Sequence, residues 1–228
     1  MRIKQFWISQ KTIKFTVFFL MACTAILACG QGNIFSITGP PDITSQYSAT
    51  LALDAYPAGI SWITTEAYIN VDVSISLAGD SGGMAIAYLT TKAGPGTTTA
   101  NQIASTSFDF PSTRSLTPIF SGLNLAAGTY YLIIEETAEG SSGNGLWNGT
   151  PSPDANLAAN VTDNGEYSYF NSTSGYIPAV SFSRSSINYL DFAITGSAVP
   201  EPSAAWLALL GGGFFVFLQI RNRVSVEK

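Results

Sequence analysis

The chain contains no histidine and only two cysteines, Cys23 and Cys29, among its 228 residues. Without histidine it lacks the commonest general base, the commonest zinc ligand and the central residue of a Ser-His-Asp triad. Both cysteines lie in the first 30 residues, so the rest of the chain has neither a disulfide nor a thiol nucleophile. Its stability must therefore come from its core, and the most frequent catalytic arrangements are excluded.

Basic residues are scarce in the middle of the chain. Residues 31–198 contain three basic side chains, Lys92, Arg114 and Arg184, against thirteen acidic ones, a net charge of −10. Binding to nucleic acid needs a basic surface, so we predict no nucleic-acid partner. The acidic charge also disfavours direct docking on anionic lipid or acidic polysaccharide.

Residues 1–30 have the organisation of a secretory signal peptide. Four basic residues precede an apolar run from Phe15 to Leu27, and the small residues Ala28 and Gly30 follow. The run is too short to span a membrane comfortably. In an alternative interpretation, lipoprotein processing would attach lipid to Cys29 or Cys23. Leu and Met fit poorly just before the small residue of a lipoprotein signal, so we favour cleavage by signal peptidase.

The last thirty residues combine a polar motif, one apolar span and a basic end. The apolar run Ala204–Ile220 has 17 residues, the lower limit for a transmembrane helix. Positive charge after a span stays in the cytoplasm, which places residues 31–198 on the other side of the membrane. The motif and the basic end are Val199, Pro200, Glu201 and Pro202, and then Arg221 and Arg223.

This C-terminal arrangement resembles the PEP-CTERM sorting signal of Gram-negative bacteria. The resemblance implies that the secretion machinery exports the chain to an inner-membrane intermediate. It also implies that an exosortase, a membrane cysteine transpeptidase, recognises the Pro-Glu-Pro stretch. Delivery to the cell surface or extracellular matrix, and an association with exopolysaccharide and biofilm, are further expectations. The alternative is a permanent C-terminal membrane anchor.

Period-two alternation is the commonest pattern in residues 31–198. It is clearest over residues 67–77, and Met84 to Thr90 is predicted to return as the second strand of a hairpin. We predict an all-β fold, an antiparallel two-sheet sandwich or jelly roll of about ten strands. A signal helix (1–30) and a transmembrane helix in the sorting tail (199–228) flank this 31–198 domain. The predicted inward positions are Ala67, Ile69, Val71, Val73, Ile75 and Leu77.

The segment from Leu123 to Leu132 places two tyrosines after a glycine turn. We predict that Tyr130 or Tyr131 hydrogen-bonds back to the preceding corner, as in the tyrosine corner of Greek-key sandwiches. With the 67–77 alternation, Trp147 and the closing segment 189–196, this stretch makes the body similar to extracellular choice-of-anchor domains, type R among them. That resemblance implies a sandwich fold and brings no catalytic residues.

The remaining candidates for chemistry are carboxylates. Glu135 and Glu136 are adjacent on a predicted strand, so they point to opposite faces and cannot act as a pair. We therefore expect no enzyme activity and no cofactor. A structural Ca²⁺ is an alternative that we favour less. It is considered because oxygen ligands cluster in a Gly/Pro-rich loop. Its candidate ligands are Asp154, Asp163 and Glu166.

Aromatic side chains on loops could stack on sugar rings. The candidate glycan contacts are Trp147, Tyr167 and Tyr169. For Trp147 we favour a structural cap over a binding platform, because Leu146 gives the same loop a second apolar anchor. The primary hypothesis is a non-catalytic secreted protein of the cell surface or extracellular matrix. The alternative is a carbohydrate-binding module that uses these loop aromatics.

Overall fold

The structure is a computed structural model, and it describes residues 31–41, 48–51, 57–79, 83–137, 145–168, 176–185 and 189–199. Within these ranges thirteen β-strands form two antiparallel sheets, which confirms the all-β two-sheet prediction. None of the helical turns in these ranges is long and apolar enough to cross a membrane. The predicted signal helix and transmembrane helix lie outside the described residues.

The first sheet contains the first and last strands of the body as neighbours. Its spatial order is β10 (Asp154–Leu157), β1 (Gly32–Thr38), β13 (Phe192–Ala198), β4 (Tyr68–Gly79), β9 (Gly145–Trp147) and β2 (Ala49–Leu51), with β7 (Ser115–Leu125) also paired to β4. Strand β13 lies between β1 and β4, and Gly32 opposes Gly196. The start and the end of the body therefore lie side by side.

The second sheet has six strands. Their order is β12 (Ser183–Ser185), β11 (Val161–Ser168), β3 (Ala58–Thr64), β8 (Gly128–Glu136), β5 (Met84–Thr90) and β6 (Gln102–Asp109). The predicted hairpin between residues 67–77 and 84–90 is wrong, because β4 belongs to the first sheet and β5 to the second. Strand β5 pairs with β6 and β8 instead. Alternation predicts a strand but does not identify its neighbour.

The core fills the space between the two sheets. Its described members extend from Ile34 to Ile194, and Trp62 and Trp147 are its largest fully buried side chains. At about 25 cal/mol per Å² of apolar area removed from water, this core is the main source of stability for a body without disulfides. The predicted tyrosine corner is confirmed: the Tyr130 hydroxyl donates to the carbonyl of Ala126 at 2.5 Å.

Strand β4 follows the predicted alternation over most of its length. Val71, Val73 and Leu77 are fully buried, but Ile69 is 41% exposed and Tyr68 occupies the core instead. The pairing of β4 shifts between Tyr68 and Val71, and Asn70 adopts a positive φ of 52°. The irregularity inserts an extra residue and reverses the side-chain parity before it. The prediction that Ile69 faces inward is therefore wrong.

Candidate functional site

The predicted sorting motif starts at Val199, the last residue that the structure describes. The N–H of Val199 donates to the carbonyl of Ala67 at 2.8 Å, which continues the β13–β4 pairing one residue beyond the strand. Val199 is thus held on the sheet, and Pro200 follows it directly in the sequence. The other predicted sorting residues, Glu201, Pro202, Arg221 and Arg223, lie outside the described residues with Pro200.

Two exposed apolar side chains, Ile69 and Val199, lie where the sorting motif starts. Ile69 is 41% exposed and Val199 is 36% exposed. Ser197 is the register partner of Ile69, and Val199 bonds to Ala67, so the two side chains are diagonal neighbours on one face of the sheet. We call the surface formed by Ile69 and Val199 the exit face. The periodicity of the sequence predicts that Ile69 is buried, so it does not indicate the exit face.

A polar clamp borders the exit face. The Gln31 amide donates to the carboxylate of Asp72 at 2.6 Å and to the carbonyl of Asn70 at 3.2 Å. The N–H of Gly122 donates to the other Asp72 oxygen at 3.0 Å. These bonds, that from Gln31 first, lower the pKa of Asp72, because both stabilise its charged form. The clamp ties the start of the body to strand β4, which pairs with the strand β13 that leads to the sorting segment.

Trp147 lies at the opposite end of the same sheet. It belongs to strand β9 rather than to a loop, and its ring is fully buried. Its indole N–H donates to the carbonyl of Asp191 at 3.0 Å. The ring therefore fastens β9 to the segment that enters β13. This geometry supports the structural cap and leaves no ring face free for a sugar.

A partly buried ion pair lies beside Trp147. The guanidinium of Arg114 pairs with the carboxylate of Asp191, and its Nε donates to the hydroxyl of Ser76 at 3.2 Å. Burial raises the pKa of Asp191 to about 6 and outweighs the opposing attraction of Arg114. Among the described residues, Asp191 Oδ1 and the buried Asn148 amide nitrogen have no hydrogen-bond partner. Arg114 and Asp191 are 77 residues apart, so no local spacing indicates this pair.

The candidate calcium ligands are not in a loop. Asp154 lies on β10, whereas Asp163 and Glu166 lie on β11. Asp163 accepts the N–H of Gly165 at 2.8 Å, and Glu166 accepts that of Tyr189 at 2.9 Å. The described ranges contain no group of three or more His, Cys, Asp or Glu residues that could hold a metal.

Burial also shifts the acidity of Glu166. It raises the pKa of this carboxyl to about 6, and the nearby Asp163 adds to the rise, although the N–H groups of Tyr189 and Leu190 oppose it. A carboxylate that accepts two backbone N–H groups holds the chain that enters β13. We therefore assign Glu166 a role in the fold.

Several half-buried aromatic rings lie on the second sheet. Tyr167 makes edge contacts with Tyr131 at 5.6 Å and with Phe182 at 6.4 Å between ring centroids. Arg184 is opposite Tyr167 in the β11–β12 register and is exposed. Of the predicted glycan contacts, Tyr167 is therefore partly accessible, Trp147 is buried, and Tyr169 lies outside the described residues. We call Tyr131, Tyr167, Phe182 and Arg184 the aromatic edge.

Comparison with known protein families matches residues 198–224 to the PEP-CTERM protein-sorting motif. Among curated proteins, none matches the chain significantly. The matched segment starts at Ala198, the last residue of β13, so two residues belong both to the motif and to the described body. PEP-CTERM proteins are exported and sorted to the cell surface, and the motif implies processing by an exosortase. The chain is thus a two-sheet β-sandwich that carries a C-terminal PEP-CTERM protein-sorting motif.

Proposed function

We propose that this protein is a non-catalytic component of the cell surface or extracellular matrix of a Gram-negative bacterium. Its inner-membrane intermediate is held by the run Ala204–Ile220 until the tail is processed. The observation that carries the proposal is the PEP-CTERM match at residues 198–224, which begins inside the last strand of the sandwich. We further propose that the body is a choice-of-anchor domain of type R, which the two-sheet architecture supports.

The bonding of the carboxylates supports a role without catalysis. Asp72 is clamped by Gln31 and Gly122, and Asp191 is paired with Arg114. Glu135 accepts the hydroxyl of Tyr88 at 3.0 Å. General acid–base work requires a carboxyl that can reach a substrate proton, and these carboxyls are engaged in holding strands together. The chain also contains no histidine that could replace them.

The experiment that tests this function replaces Pro200, Glu201 and Pro202 with alanine in the full chain. We expect export to continue and the protein to remain in the inner membrane with its tail attached. Fractionation of the cells, with an antibody against the body, measures the distribution. A variant that reaches the surface at the normal size and rate would contradict the sorting role.

The second candidate function is carbohydrate binding, and the aromatic edge favours it. Half-exposed Tyr131, Tyr167 and Phe182 offer apolar ring surface, and the exposed cation of Arg184 adjoins them. A glycan array probed with the secreted protein tests this candidate. Binding that is lost in Tyr167→Ala and kept in Trp147→Phe would support it, and the absence of any glycan signal would count against it.

A further inference from the structure

The tail leaves very little chain between the sandwich and the membrane. Val199 is hydrogen-bonded to the sheet, and the apolar run begins at Ala204. Five residues reach at most about 17 Å when fully extended. A membrane enzyme that reads the motif while the run is inserted must therefore work directly beside the end of the body from which β13 leaves.

The exit face lies at that end and has the composition of a small contact surface. Its centre is the apolar pair Ile69 and Val199, each exposed by more than one third. Its border is polar and ordered, because Gln31 bonds to both Asn70 and Asp72. An apolar centre with a polar border is the usual anatomy of a protein–protein contact.

The backbone keeps Ile69 at the surface by an unusual conformation. Asn70 has a φ of 52°, in the left-handed region that non-glycine residues seldom adopt. The pairing of β13 with β4 also shifts here, between Thr195 and Ser197. A regular strand would have turned Ile69 inward with Val71. Irregularities that redirect a side chain are commonly found at functional surfaces.

We propose that the exit face is a docking surface for the exosortase that processes the tail, so that the enzyme contacts Ile69 together with the motif. The inference rests on the proposed function. The occupant is the enzyme rather than the lipid for an electrostatic reason. The body carries a net charge of −10, and Asp72 on the border of the exit face keeps its charge, so anionic headgroups would repel this end.

The test compares tail processing in three variants of the full chain in the cell that produces it. Ile69→Ser removes the apolar centre, and Ile69→Leu preserves it. Leu116→Ser is the matched control. Leu116 is 57% exposed and lies on strand β7, where it is opposite Ser76 near the other end of strand β4. A pulse-chase experiment followed by immunoblotting measures the rate at which the precursor is converted to the processed form.

We expect Ile69→Ser to slow processing about tenfold, the loss for removing one well-buried apolar contact. Ile69→Leu and Leu116→Ser should process at the wild-type rate. Equal rates for Ile69→Ser and Leu116→Ser would overturn the docking surface and leave the sorting role intact. A wild-type tail that is never processed would overturn both.

Two further measurements separate docking from its alternatives. If Ile69→Ser is as sensitive to protease as Val71→Ala, the slow processing comes from unfolding and the docking surface is wrong. If the purified protein binds vesicles with anionic lipid and Ile69→Ser abolishes that binding, the occupant is lipid and the proposal is likewise overturned. Normal protease resistance, no vesicle binding and slow processing together support it.

Discussion

The two ends of strand β13 differ in their chemistry. At its first end, Asp191 is buried and paired with Arg114, and Trp147 bonds to its backbone. At its last end, Val199 and the neighbouring Ile69 are exposed apolar side chains. Seven strand residues, about 23 Å at the usual rise, separate the two ends. One strand therefore joins a buried polar cluster to an accessible apolar surface.

The buried end of β13 contributes to the stability of the fold, whereas the exposed end is accessible to a partner. Changes at the buried end leave a cavity or an unpaired charge, and both are among the costly mechanisms of destabilisation. Changes at the exposed end remove few contacts, so selection can adjust that surface to suit a partner. Mutations at the two ends test whether this division holds.

The largest effect is expected for Trp147→Ala. The change empties the space of a fully buried indole and removes one of the two donors to the carbonyl of Asp191, the other being the N–H of Ser76. We expect a loss of about 3–5 kcal/mol in the free energy of unfolding, which lowers the melting temperature by about 6–20 °C. Tyr167→Ala, at a half-buried ring, is the control and should cost less. A loss below that of the control would show that Trp147 is not a structural cap.

The second effect concerns the ion pair. Arg114→Ala leaves the buried carboxylate of Asp191 without its cation and should cost about 1–3 kcal/mol at pH 7. The cost should shrink near pH 4.5, because Asp191 is then mostly protonated in the folded protein. Lys92→Ala removes the same charge from a lysine whose ammonium, among the described residues, donates to the carbonyl of Gly96 at 3.3 Å, and should be nearly neutral. Chemical denaturation at both pH values measures the difference.

The third effect is a dependence of the stability of the fold on pH. The pKa values of Glu166 and Asp191 are both raised to about 6, so the folded state holds these protons more tightly than the unfolded state. Their contribution to stability is complete below about pH 4 and is lost as the pH rises through 6. For Glu166 the loss is about 2 kcal/mol, and Asp191 adds a loss of the same sign, which the attraction of Arg114 opposes.

Thermal unfolding at pH 4.5 and pH 7 checks this dependence. The wild type should melt at a higher temperature at pH 4.5, and Glu166→Gln should reduce the difference between the two values. The lowered pKa of Asp72 acts in the opposite direction, and its contribution is lost as the pH falls below its usual value near 3.8. A wild type that is more stable at pH 7 than at pH 4.5 would show that the buried carboxyls do not dominate.

Part of this fold could be predicted from local pattern. The alternation from Val71 to Leu77 identified a half-buried strand because period two is a property of the strand itself. The glycine turn before Tyr130 identified the corner for a similar reason. Local pattern does not indicate strand β1, because Ile34 and Phe35 are adjacent and both buried, where a register shift against β13 breaks the alternation.

The candidate site could not be predicted from local pattern, because it depends on contacts between residues that are far apart in the sequence. The outward turn of Ile69 arises from irregular pairing with β7 and β13, and no property of residues 67–77 alone indicates it. Trp147 bonds to a residue 44 positions away, and its three-residue strand is too short to show a period. The sorting motif, by contrast, was predicted from the sequence because it is linear, and the family comparison agrees.

The smallest effect is expected for Ile69→Ala. Exposed side chains away from strained or paired groups usually change stability by less than about 0.5 kcal/mol. Val71→Ala, two residues along the same strand, removes fully buried carbon and should cost about 1–3 kcal/mol. The contrast is a direct test of the parity reversal at Asn70, because a regular strand would place both side chains in the core and make both changes costly. Matched denaturation curves of the two variants measure the contrast. Similar losses at the two positions would show that Ile69 is buried and that the exit face does not exist.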